Sequence, residues 1–107
     1  MEVFGETSRI TKIINDKRQL VKHYGKDRAL KIQQRLDEFS AAENLTQISH
    51  LPPARLHQLK GDRQYQFAVD IGANWRIIFE GYDEYDVLVT EKSEIVTLSI
   101  ISIEDYH

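Results

Sequence analysis

Apolar residues near the start of the chain recur at steps of three and four. Ile10, Ile13, Ile14, Val21 and Tyr24 fall around one face of a helix that begins near Thr7 or Ser8, whose hydroxyls suit an N-cap. Gly25 ends it, as a residue able to take the conformations that stop a helix. A second periodic run spans about Lys26 to Ala42, with Ala29, Ile32, Leu36 and Phe39 on its apolar face and Arg28, Lys31 and Arg35 elsewhere. Two amphipathic helices joined by one or two residues predict a helical hairpin. Ahead of them, Met1 to Phe4 reads as a short strand.

The pattern then changes. Asn44 to Pro53 is turn-rich, with room for one helical turn around Leu45 to Ile48, and Pro52-Pro53 excludes regular helix or central strand. Tyr65 to Ile71 alternates, with Tyr65, Phe67, Val69 and Ile71 on one side. Gly72-Ala73-Asn74 predicts a turn, and Trp75 to Phe79 a second strand. Ile95 to Ile103 is rich in β-branched residues and nearly continuous in apolarity, which suits a strand buried on both faces. Between them, Tyr85 to Val89 suits either a hairpin extension or an edge strand. The order β-α-α-β-β-β predicts one α+β domain over residues 1–107, with the helices packed on one side of a small, mostly antiparallel sheet.

Composition narrows the class. The chain has 107 residues, 41% hydrophobic and 29% charged, enough for a small core in a soluble domain. It has no cysteine, so a disulfide scaffold, a thiolate metal site and a cysteine nucleophile are excluded. No apolar run approaches the roughly 20 residues of a membrane span, and no signal peptide is visible. A cytoplasmic protein is expected. Net charge is −3, but it is unevenly spread. Residues 1–80 hold 13 Lys and Arg against 10 Asp and Glu, a balance of +3, while residues 81–107 hold one Lys against seven acids, a balance of −6. The larger part is therefore able to present a basic face to a polyanion.

Three segments concentrate proton-handling and cationic side chains. Arg55, His57, Lys60 and Arg63 surround Gly61 in what reads as a basic loop, a combination suited to phosphate. Arg76 follows Trp75 in a predicted central strand, where it needs a solvated face or a partner such as Asp70. Asp105, Tyr106 and His107 end the chain directly after the last strand. Two imidazoles, several cations and a phenol suit cleavage of a phosphodiester. No Walker loop, dinucleotide fingerprint, nucleophile elbow or zinc spacing occurs, so no cofactor or metal is expected.

In combination, the run Leu56-His57-Gln58-Leu59-Lys60-Gly61-Asp62-Arg63, the run Asn74-Trp75-Arg76-Ile77 and the terminal Asp105-Tyr106-His107 resemble the HigB-type toxins of the RelE/ParE superfamily. The element order matches too, so the resemblance extends over nearly the whole chain. It implies a RelE-like fold and a ribosome-dependent endoribonuclease that cuts translated messenger RNA. It also implies a HigA-type helix-turn-helix antitoxin as partner, with operator DNA engaged only through that antitoxin. The matching active-site positions are His57, Lys60, Arg76, Asp105, Tyr106 and His107; Arg55 and Arg63, from the basic loop, are expected as RNA contacts. Two alternatives on the same fold are a ParE-like gyrase inhibitor and a catalytically inactive binding module. The segment from Tyr82 to Glu94 is longer and more acidic than the family's usual hairpin turn. Removal of Asp105 to His107 is expected to disturb the fold little.

Overall fold

A computed structural model describes residues 1–106; His107, one of the expected site residues, lies outside the described residues. The elements run β1 (Glu2–Gly5), α1 (Ser8–Ile14), α2 (Lys17–Tyr24), α3 (Lys26–Ala41), β2 (His57–Gln58), β3 (Gln66–Asp70), β4 (Trp75–Tyr82), β5 (Leu88–Val89) and β6 (Thr97–Asp105), with short 3-10 turns at 45–47, 61–63 and 92–94. One sheet takes the order β1-β6-β4-β3-β2, and β5 pairs with β4. β1 runs parallel to β6 and every other pair is antiparallel. This is the α+β architecture the sequence predicts.

The first predicted helix is in fact two. Thr7 caps α1 by accepting from the Ile10 amide. Asn15 and Asp16 then interrupt the helix, and the Asp16 carboxylate accepts from the Arg18 amide to start α2. Short polar side chains of this kind compete with helical hydrogen bonds. Within α2, Leu20 is buried while Val21, expected on the apolar face, is exposed.

The helices cover one face of the sheet. Ile32, Leu36 and Phe39 of α3 join Phe67, Val69, Ile77, Phe79, Leu98 and Ile100 in one core. Phe39 meets Phe79 edge-on at 5.1 Å between centroids, and Phe67 stacks on Phe79 at 5.8 Å. Such aromatic pairs are worth about 0.5–1.5 kcal/mol beyond the area they bury. Gly81 allows the close pass of Ile95 over β4, since a Cβ there would stand 2.5 Å from its side chain.

Strand limits differ from expectation in ways that matter for the site. β4 continues to Tyr82, and β6 begins at Thr97 but runs on to Asp105. Asp105 therefore belongs to the sheet, and Tyr106 follows directly after it. β6 is also not buried on both faces: Leu98 and Ile100 point into the core, whereas Ser102 and Glu104 lie on the opposite side with partial exposure. His57, expected in a loop, lies in the two-residue edge strand β2, opposite Ala68.

Candidate RNA-cleaving face

Strand alternation sorts the candidate residues onto two sides of the sheet. Phe67, Val69, Ile77 and Phe79 face the helices. Their neighbours Ala68, Asp70, Arg76 and Ile78 therefore face away, and register adds His57 opposite Ala68, Ser102 opposite Ile78 and Glu104 opposite Arg76. One row of this open face reads Asp70, Arg76, Glu104 across three strands.

Arg76 is the centre of the row. Its side chain is mostly buried, at 17% exposure. Nη2 donates to Glu104 Oε1 at 3.2 Å, and the guanidinium carbon sits 4.8 Å from the centroid of the Tyr106 ring. Nε is buried and has no hydrogen-bond partner among the described residues. The expected ion pair of Arg76 with Asp70 is not formed, although the two are paired in register. Arg55 takes Asp70 instead, through Nε at 2.7 Å and Nη2 at 3.2 Å.

Tyr106 is positioned by the β3–β4 turn and by Asp70. Its amide donates to Asn74 O at 2.9 Å, and its hydroxyl donates to Asp70 Oδ1 at 3.3 Å. Asn74 adopts φ 68°, a conformation its short side chain tolerates, and Gly72 adopts φ 95°. The turn thus carries Arg76 on its far strand and anchors Tyr106 from its own carbonyl.

Arg55 occupies the left-handed region at φ 49°, uncommon for a residue with a Cβ. Its amide donates to Leu51 O, and the Ala54 carbonyl accepts from the Asp70 amide, so the turn is tied to the end of β3. The hydrogen bond to Asp70, then that to Tyr106, raises the Arg55 pKa further above its ordinary range. The Arg55 carbonyl in turn lies 2.9 Å from His57 Nδ1. A carbonyl only accepts, so in neutral His57 the proton belongs on Nδ1 and Nε2 is the ring's acceptor.

Arg63 leaves the turn between β2 and β3 and crosses the open face. Its Nε donates to Gln66 Oε1 at 2.9 Å and its Nη1 to Glu104 Oε1 at 3.2 Å. Glu104 therefore holds both Arg63 and Arg76, while Ser102 Oγ donates to its other oxygen at 2.8 Å. Burial pushes the Glu104 carboxyl up, but the hydrogen bonds from Ser102, Arg63 and Arg76 together hold it below the ordinary carboxylate range.

The fold thus brings His57, Arg76, Tyr106, Arg55 and Arg63 to one face. Lys60 is exposed at the start of the turn that delivers Arg63. Asp105 pairs in register with Trp75, on the helix side, where Arg28 lies 4.1 Å over the Trp75 ring. Sequence reasoning passed over Glu104 and Ser102. Strict alternation along β6 would put them on the face of the buried Leu98 and Ile100; a bulge at Ile101, where the register shifts between Ile78 and Phe79, turns them to the other side, so the pattern within the strand could not show it.

The opposite end of the same face is acidic. Glu80 lies opposite Ser99, and its pKa is raised by burial and by the nearby Glu6. Tyr82 is raised by burial and by both carboxylates. The acidic segment after Tyr82 begins six residues along β4 from Arg76, about 20 Å at the rise of an extended strand. Among the described residues no group of three His, Asp or Glu is placed to hold a metal ion, and no helix is long and apolar enough to cross a membrane.

Residues 13–91 match the family model of HigB-like toxins, described as RelE-like toxins of type II toxin-antitoxin systems, and the chain belongs to that family. Among curated proteins, the endoribonuclease HigB of Proteus vulgaris is 33% identical over 75 residues. That alignment covers 66% of this chain and 66% of the relative, so the chain spans just under two thirds of the relative's length. Among solved structures, a YoeB/ParE toxin from Agrobacterium tumefaciens superposes with a TM-score of 0.59 at 13% identity over the full length of both chains, a likeness of fold. The family match ends before β6, so the residues of the open face contributed by that strand rest on the geometry described above.

Proposed function

We propose that this chain is the endoribonuclease toxin of a type II toxin-antitoxin pair. It cuts messenger RNA during translation on the ribosome and is neutralised by a HigA-type helix-turn-helix antitoxin. The observation that carries the reading is the shared face of His57, Arg76 and Tyr106, drawn from three segments far apart in sequence. A gyrase inhibitor on the same fold has no need of such a set.

RNA carries its own nucleophile in the 2′-hydroxyl, so no metal or cofactor is required. His57 Nε2 takes the 2′-hydroxyl proton, the ring being held in the right tautomer by the Arg55 carbonyl. The 2′-oxygen attacks phosphorus, the bond to the 5′-oxygen breaks, and a 2′,3′-cyclic phosphate remains. Arg76 stabilises the charge gathering on the non-bridging oxygens, with Lys60 as a second cation at the edge. The Tyr106 ring supports the Arg76 guanidinium from one side. His107 is assigned the proton for the leaving 5′-oxygen, and Asp105 the orientation of the chain end. The ribosome supplies the substrate's in-line geometry, so free RNA is a poor substrate.

The test is induced expression of the wild type, Arg76→Ala and His57→Ala, with primer extension on a translated messenger. Wild type arrests growth and yields cuts within the reading frame. Either variant, folded by circular dichroism, loses roughly 10²–10³ in cleavage. Undiminished cutting by folded Arg76→Ala removes this face from the chemistry.

A further inference from the structure

Glu104 lies between two guanidinium groups of the open face. Its Oε1 accepts from Arg63 and Arg76 together, and a single acceptor oxygen shared by two guanidinium groups is the arrangement a non-bridging phosphate oxygen takes. The carboxylate is held from its own strand by Ser102, two residues back on the same face. Resting on the RNA-cleaving reading above, we propose that Glu104 is an internal occupant of the phosphate site, and that an RNA phosphodiester must displace it from Arg63 and Arg76 to bind.

Geometry favours exchange. Both arginine contacts to Glu104 are 3.2 Å, long for charge-assisted bonds, which run about 2.7–2.9 Å. The neighbouring Arg55–Asp70 contact is 2.7 Å, so that pair is the tighter of the two. Arg63, Arg76 and Glu104 are all partly exposed, at 41%, 17% and 31%, so an incoming phosphate has access to them. When Glu104 is displaced, Arg76 keeps its stack on Tyr106 and Arg63 keeps Gln66, so both guanidinium groups remain oriented. Glu104 keeps Ser102 but then stands as an uncompensated negative charge beside a second one. That repulsion is a cost built into every encounter with RNA. It lowers affinity for free RNA and is offset only where another surface, such as the ribosome, holds the substrate in place.

The experiment measures binding of a fully 2′-O-methylated single-stranded RNA, which cannot be cut, by fluorescence anisotropy. The proteins are wild type, Glu104→Gln, Arg76→Ala and the double variant. Glu104→Gln keeps the shape and an acceptor oxygen but removes the charge. It should bind about tenfold tighter than wild type, with most of that gain lost in the Arg76→Ala background. Ser102→Ala, which loosens the carboxylate, should show a smaller gain and replaces Glu104→Gln if the latter is insoluble. If Glu104→Gln binds as wild type or more weakly while Arg76→Ala loses binding, Glu104 is a structural tie and the proposal falls with the RNA site intact. If Arg76→Ala binds as well as wild type, the phosphate site itself is elsewhere and both readings fall.

Discussion

The Arg76 guanidinium lies over the Tyr106 ring, 4.8 Å from its centroid, although thirty residues separate them. The same ring's hydroxyl reaches Asp70, so one phenol ties the cation of β4 to the carboxylate of β3. Tyr106 is therefore part of the framework that holds Arg76 and Asp70. Tyr106→Phe keeps the stack and removes a 3.3 Å hydrogen bond, so its melting temperature should stay close to wild type, while Tyr106→Ala should lose cleavage through a less ordered Arg76. Thermal melts and translation-coupled cleavage on both variants check this. Equal activity in Tyr106→Ala and wild type would show the stack to be incidental.

Deleting 105–107 is a harsher test than the sequence suggested. It removes the Trp75–Asp105 strand pair and the Tyr106 amide bond to Asn74 as well as the terminal side chains. With one net hydrogen bond worth about 0.5–1.5 kcal/mol, the truncated chain should melt several degrees lower and lose cleavage altogether. Scanning calorimetry beside a cleavage assay separates the two effects. A truncation that melts as wild type would mean the end of β6 contributes nothing to the fold.

Asp70 receives Arg55 twice and Tyr106 once. Asp70→Asn should weaken the Arg55 pair, which is half-exposed and so worth no more than about 1 kcal/mol. Arg55 would then be a freer cation at φ 49°. RNA binding by this variant should become steeper in salt, by roughly one further phosphate contact. A series of binding isotherms from low to high salt reads the slope directly, and an unchanged slope would leave Arg55 outside the RNA contact.

Two carboxylates on the open face should respond oppositely to pH. Glu104 has its pKa lowered on folding, so it adds stability above the ordinary carboxylate value and that stability is lost as pH falls through the lower folded value. Glu80 has its pKa raised, so its ionised form costs stability at neutral pH, and the cost disappears as pH falls below the ordinary value. Glu80→Gln should therefore melt above wild type at neutral pH and Glu104→Gln below it, both differences closing in acid. Melting curves of the three proteins from pH 3 to 7 decide the matter; the same sign for both variants at neutral pH would contradict it.

The acidic segment after Tyr82 begins about 20 Å from Arg76 along β4, beyond the roughly 8 Å screening length at physiological salt. Glu84→Gln with Glu91→Gln should leave cleavage within about twofold of wild type. A tenfold rise in translation-coupled cutting would mean that this segment does oppose RNA.

Helix spacing, the three long strands and the β3–β4 turn were legible in the sequence, because hydrophobic period and turn residues are local properties. Even there, Asn15-Asp16 broke the first helix, and Leu20 rather than the expected Val21 joined the core. The parallel pairing of β1 with β6 and the place of His57 in the edge strand β2 came only from tertiary structure. So did the partners of the cations. Sequence offered Asp70 to Arg76, but Arg55 lies nearer to Asp70 once the turn before β2 is folded, and Glu104 arrives beside Arg76 from a strand twenty-eight residues later. Which charges meet is set by strand register and loop closure over long separations, and no pattern within a single segment carries that information.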